Sequence, residues 1–175
     1  MKSAALIIKL GIFGILTVPF RLYFEPSETK DENQEVNMGS VDIDAPTPLK
    51  MFNSIEKYST MYKIPLKYAL GVAYAETRYL GPFHWKYNPQ QTSCAGALGP
   101  MQIMPSTANS IWNKNIPRSE LISDIDLNVE TSMKLLRKLY DRYKNWKIVF
   151  GCYNTGRPCV NDYAERVYNF NPNIK

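Results

Sequence analysis

One histidine and the absence of any Cys-x-x-Cys pair leave this 175-residue chain without the means to build a structural zinc site. His84 reads as a loop residue, and Cys94, Cys152 and Cys159 are too few and too scattered for a metal cluster. Neither a metal nor a cofactor is expected. Also missing are internal repeats, a nucleic-acid recognition motif and an apolar run of full membrane-spanning length. The longest candidate, Ala4 to Phe20, counts 17 residues and contains Lys9, whereas a span needs about 20 mainly apolar residues.

What the chain does have falls into three parts. Residues 1–24 begin with Lys2 and continue into the apolar run, the pattern of an export signal or a membrane anchor. No small-residue cleavage site follows, so the pattern fits a cleaved signal and a retained anchor equally. Residues 25–46 hold seven acids, one lysine and no aromatic residue, too little apolar surface to offset the entropy of ordering. This segment reads as a disordered acidic linker. Residues 1–46 carry 4 basic and 7 acidic groups out of totals of 21 and 16, so residues 47–175 carry 17 against 9, a net of +8. A basic domain suits a polyanionic partner, namely nucleic acid, an anionic membrane surface or a cell-wall polymer. Lys134, Lys138 and Lys144 read as a solvated helix face.

The domain at 47–175 is long enough for one core and is punctuated as a mainly α fold. The pattern predicts helices over Pro48 to Tyr62, with Leu49, Phe52, Ile55 and Tyr58 or Tyr62 inward, and from Pro65 to Arg78. It further predicts helices from an N-cap at Ser106 to Trp112, from Leu127 to Tyr143, from Asn145 to Tyr153 and from Val160 to Phe170. Residues 80–105 are loop with at most a vestigial β-hairpin.

Two features carry chemistry. In the second helix Ala69, Val72, Ala73 and Glu76 fall on one face, so an acid shares a small apolar stripe. The negative helix end and the neighbouring Ala73, Tyr79 and Leu80 should raise its pKa, which suits a general acid. The bland alternative is an ion pair from Glu76 to Arg78 or Lys63. Downstream, Ala95 to Ala108 packs two glycines, two prolines and the polar Gln102 into an apolar run, a segment suited to approaching a ligand.

Glu76-Thr77, Gly99-Pro100-Met101-Gln102-Ile103 and Tyr153-Asn154-Thr155-Gly156, in that order, resemble the Slt-type lytic transglycosylases over roughly residues 47 to 170. These lysozyme-like enzymes cut the glycan strands of peptidoglycan. Thr77 stands where the family has serine, and Pro100 where leucine is frequent. The resemblance implies a lysozyme-like helical domain with Glu76 as its single catalytic acid and Thr77 beside it. It implies one wall of a glycan groove from Gly99, Met101 and Gln102, the opposite wall from Tyr153 and Asn154, and Tyr163 facing the acid. If those segments meet, Cys94 and Cys159 could form a disulfide joining the two loops. Tyr79, Phe83, Trp85 and Tyr87 are mostly expected in packing, with one or two on the groove.

Glycoside hydrolysis ordinarily needs two carboxylates. Glu120, Asp124, Asp126 and Glu130 lie at helix starts, where capping explains them. A lone acid favours the family's chemistry, in which the substrate's own 6-hydroxyl attacks and a 1,6-anhydromuramic end forms. The expected partner is therefore peptidoglycan glycan, with no nucleic acid, in an exported or membrane-anchored protein at the cell wall or periplasm. Membership of a phage particle or a secretion assembly is consistent with this size. A goose-type lysozyme that uses water, and a noncatalytic wall-binding or virion module, are the alternatives.

Overall fold

The computed structural model describes residues 45–172. The expected signal or anchor segment, and all but the last two residues of the acidic linker, lie outside the described residues. Within them are seven helices: α1 (Thr47–Met61), α2 (Leu66–Thr77), α3 (Pro105–Trp112), α4 (Arg118–Ser123), α5 (Ile125–Tyr143), α6 (Trp146–Thr155) and α7 (Asp162–Tyr168). No described helix is long and apolar enough to cross a membrane.

The helices pack as a closed ring. Helix α1 meets α5, α5 meets α6, α6 meets α7, α7 meets α2, and α2 returns to α1, while α3 and α4 lie against α5. Inside the ring Met51, Ile55, Val72, Met133, Leu136 and Phe150 are fully buried. Four of the seven helices, α2, α3, α5 and α6, stop where Arg78, Asn113, Lys144 and Gly156 adopt the left-handed conformation that ends a helix. The starts at α5, α6 and α7 are capped by Asp124, Asn145 and Asn161, whose side chains accept from backbone N–H groups of the first turn.

Three sequence expectations shift. The buried face of α1 is Met51, Ser54, Ile55, Tyr58 and Ser59, with Leu49 turned outward. Polar pairing explains the rotation, since Ser54 Oγ donates to the Asp126 carboxylate and Lys57 lies 3.6 Å from the same group. Helix α3 begins two residues early, with Met104 at the cap position, because Pro105 presets its first turn and Ser106 makes no cap. Helix α4 has only Leu121 buried, and six residues with one inward side chain leave no periodicity to read.

The loop between α2 and α3 contains the only ladder-like pairings among the described residues, the isolated bridges Thr92 to Leu98 and Leu98 to Ile103. Its path is set by Asn128, a fully buried residue of α5. The Asn128 amide donates to Leu98 O and to Leu121 O, both at 2.9 Å, and accepts from Met101 N at 2.9 Å. Gly99 crosses directly over it at φ +74°, where a Cβ would come within 2.4 Å of Asn128 Nδ2. Only glycine fits both the backbone angle and the space.

The expected Cys94 to Cys159 bridge is not formed, and all three cysteines are free. Cys94 is exposed in a tight turn closed by Gly96 N to Ser93 O and Ser93 N to Ala97 O, each 2.9 Å. Cys159 is half-buried with Sγ 3.5 Å from Thr155 Oγ1, and Cys152 is buried on α6. The loop and α6 are joined instead by Tyr153, whose hydroxyl donates to Met101 O at 2.8 Å.

Replacing Asn128 with alanine leaves the Leu121 carbonyl and the Met101 N–H without their partner and removes one of the two bonds to Leu98 O, which keeps its bond from Ile103 N, so the expected loss is about 2–4 kcal/mol. Urea denaturation measures it. A loss below about 0.5 kcal/mol would show that the loop finds other partners.

Candidate functional site

Glu76 sits in the last turn of α2, whose apolar face is buried in the ring. Helix α7 reaches it because Gly71 leaves room: a Cβ there would lie 3.1 Å from both Val167 O and Phe170 Cβ. That close approach brings Tyr163, in the first turn of α7, to the acid. The Tyr163 hydroxyl donates to Glu76 Oε1 at 2.6 Å.

Burial pushes the Glu76 carboxyl up to about 7, against the opposing pull of the Tyr163 hydrogen bond, which favours the ionised form. None of the ion pairs among the described residues involves Glu76, so the expected alternative of a pair with Arg78 or Lys63 does not occur. Nor does a second carboxylate contribute to its shift. The acids considered as partners are engaged elsewhere: Asp124 caps α5, Asp126 takes Ser54 and Lys57, and Glu130 accepts from the Tyr62 hydroxyl at 2.6 Å. Glu120 lies in the first turn of α4.

Tyr163 and Tyr153 both feel the Glu76 charge, and burial carries both phenols well above the usual tyrosine range. They are therefore neutral hydroxyls at any working pH. With the Tyr153 proton directed to Met101 O, Ser132 Oγ at 3.0 Å acts as the donor to that hydroxyl.

The other sequence-predicted residues divide between exposed positions and buried ones that brace the loop. Asn154 is exposed on α6, its Oδ1 accepting from Asn161 Nδ2 at 3.1 Å. It lines an open depression of about 440 Å³ with Asn161, Asp162, Tyr163 and Arg166. Thr77 is turned inward: its hydroxyl lies 2.8 Å from Pro100 O and 2.8 Å from the Tyr87 hydroxyl, tying the end of α2 to the glycine-rich loop. Met101 is fully buried, and Gly99 is covered by Asn128. Gln102 is half-buried in the left-handed region at φ +50°, a costly setting for a non-glycine residue. Its Nε2 donates to Gly99 O at 2.8 Å and Gln91 O at 3.2 Å, so the amide braces its own turn. His84 is half-buried, with Nδ1 enclosed and no hydrogen-bond partner.

Sequence reasoning missed Asn128, Ser132 and the lining residues Asn161, Asp162 and Arg166. A signal existed for the first two: Asn128, Thr131 and Ser132 fall on the same face of α5 as Val129 and Met133, and polar side chains on an apolar stripe must be paired. Nothing local marked the three on α7 and its cap.

Comparison with known proteins bears on this arrangement. The family model described as Transglycosylase SLT domain matches residues 53–174. The soluble lytic murein transglycosylases of Escherichia coli K12 and O157:H7 are each 31% identical over 116 residues, covering 62% of this chain and 16% of theirs. The crystal structure of the 70 kDa soluble lytic transglycosylase Slt70 from Escherichia coli is similar with a TM-score of 0.52 at 25% identity, over 66% of this chain and 18% of that one. The complex of the 70-kDa soluble lytic transglycosylase with bulgecin A gives 0.53 at 26% identity, over 69% and 19%. The chain thus spans about a sixth of the length of the curated relatives it matches.

Two measurements test the electrostatics. Because the Tyr163 bond holds the Glu76 pKa down, Tyr163→Phe should raise it above about 7, read from the carboxyl ¹³C shift on pH titration. A fall would overturn the assignment. Since the folded value of about 7 exceeds the unfolded 4.5, the native state binds the extra proton and loses stability as pH rises between them. Glu76→Gln should therefore change little near pH 4 and stabilise by about 3 kcal/mol near pH 8, in paired thermal melts.

Proposed function

Since the chain belongs to the transglycosylase SLT domain family, we propose that it is a peptidoglycan lytic transglycosylase with Glu76 as its acid and base. The observation that carries this reading is one carboxyl, held near 7 by burial, hydrogen-bonded to Tyr163 and without a second carboxylate acting on it. A group half-protonated near neutrality can donate and accept in turn. Protonated Glu76 gives its proton to the glycosidic oxygen between MurNAc and GlcNAc, and the resulting carboxylate takes one from the 6-hydroxyl of the same muramic sugar. That oxygen closes on the anomeric carbon, leaving a 1,6-anhydromuramic end with no water consumed.

Tyr163 orients the acid through Oε1, which leaves the other carboxyl oxygen to carry the proton. Tyr153 supports the nearby loop, and exposed Asn154 is the contact for the substrate's acetamido group. Gln102, Gly99, Met101 and Thr77 act by shaping the groove from behind. The basic domain suits a wall polymer bearing stem-peptide carboxylates. We place the protein at the cell wall, exported or anchored, in local wall opening for phage infection or lysis or for a secretion or conjugation machine.

Digestion of purified murein tests the reading. Wild type should release products one water lighter than hydrolysed ends and resistant to borohydride, and Glu76→Gln should lose at least about a hundredfold in rate while still binding glycan. Reducible ends would instead assign a lysozyme-type hydrolase. Binding without cleavage by wild type would assign a noncatalytic module.

A further inference from the structure

The segment following α2 has a rigid root and an apolar tip. At the root Tyr79 is buried with its hydroxyl donating to Pro48 O at 2.7 Å, and Tyr87 is buried with its hydroxyl on Thr77. Their rings meet at 4.8 Å. Between them the chain turns tightly, with His84 N to Gly81 O at 3.1 Å, Trp85 N to Phe83 O at 2.9 Å and Tyr87 N to His84 O at 2.8 Å. From this anchored turn Leu80, Phe83 and Trp85 project with 63%, 63% and 65% of their surfaces exposed. Three large apolar side chains held out of a well-packed domain are unfavourable in water, and they signal an interacting surface.

Charge identifies the partner. From Thr77 to Ser119 the sequence has no aspartate or glutamate, while Arg78 and Lys86, both exposed, flank the tip. The Phe83 and Trp85 rings stand at 63° to one another, 6.0 Å apart, and so do not make the flat platform on which a sugar ring stacks. An exposed leucine, phenylalanine and tryptophan flanked by two cations, with the His84, Trp85 and Tyr87 N–H groups paired within the turn, match the interfacial region of an anionic bilayer. We propose that Leu80, Phe83 and Trp85 form a membrane-interface peg that seats the folded domain on an anionic lipid surface, independently of any N-terminal segment.

The full chain should be mixed with vesicles of equal phosphatidylglycerol and phosphatidylethanolamine, and with phosphatidylcholine vesicles as the uncharged control. Doxyl-labelled lipid in the anionic vesicles should quench tryptophan emission in wild type, and the quenching should largely disappear in Trp85→Phe, which keeps Trp112 and Trp146. The triple variant Leu80→Ser, Phe83→Ser, Trp85→Ser should bind the anionic vesicles roughly tenfold or more weakly, with a thermal midpoint close to wild type because all three side chains are exposed. The apolar N-terminal run is common to every variant, so the differences report the tip. Equal quenching in wild type and Trp85→Phe, or unchanged binding by the triple variant, overturns the proposal. A Trp85 emission shift produced by soluble glycan fragments and not by vesicles would overturn it in favour of a sugar contact.

Discussion

Everything around the acid depends on one buried amide. Asn128 reaches from the first turn of α5 into the loop between α2 and α3, where it adds a bond to Leu98 O and is the partner of Met101 N and of Leu121 O, which no ladder pairs. Gly99 can pass over it only because it lacks a side chain. With that crossing fixed, Pro100 O meets Thr77 and Met101 O meets Tyr153, so α2, α5 and α6 are tied through the loop. The loop is irregular in shape but leaves little freedom in position.

The acid is a second constraint, and it works in the opposite sense. Hydrogen bonding around Asn128 is matched and so stabilising, whereas Glu76 is held where its charge is poorly compensated. One neutral phenol faces it, and burial keeps that phenol neutral. The ring of helices supplies the stability that tolerates this local cost.

The sequence made the acid legible because a carboxylate among Ala69, Val72 and Ala73 has no reason to be there as packing. The helices that carry it were equally legible, since prolines, caps and 3.6-residue periodicity agree along α1, α2, α5 and α6. What could not be read was direction. Thr77, Gly99 and Met101 stand out in the motif, yet all three are buried, Thr77 and Met101 by their side chains and Gly99 beneath Asn128, because an irregular loop keeps its path only when such residues brace it from inside. The cysteine pairing failed for a related reason: nearness of two loops does not orient two Cβ atoms toward each other, and Cys94 lies exposed in its turn. Asn128 was missed because its partners are backbone atoms up to 30 residues away in sequence.

That reliance on backbone has a consequence for variation. The bonds that shape the loop end on the main-chain atoms of Gln91, Leu98, Gly99, Pro100, Met101 and Leu121. Any residue supplies the carbonyls, and any but proline the Met101 N–H. Side-chain identity is therefore fixed at the reaching ends, Thr77, Gln102, Asn128 and Tyr153, and relaxed at most of the receiving ends. A proline at position 100 is admitted on this basis, since the loop asks that position only for its carbonyl. Drift in such a loop can proceed residue by residue with the architecture intact, and recombination between distant relatives should succeed where the four reaching side chains travel together.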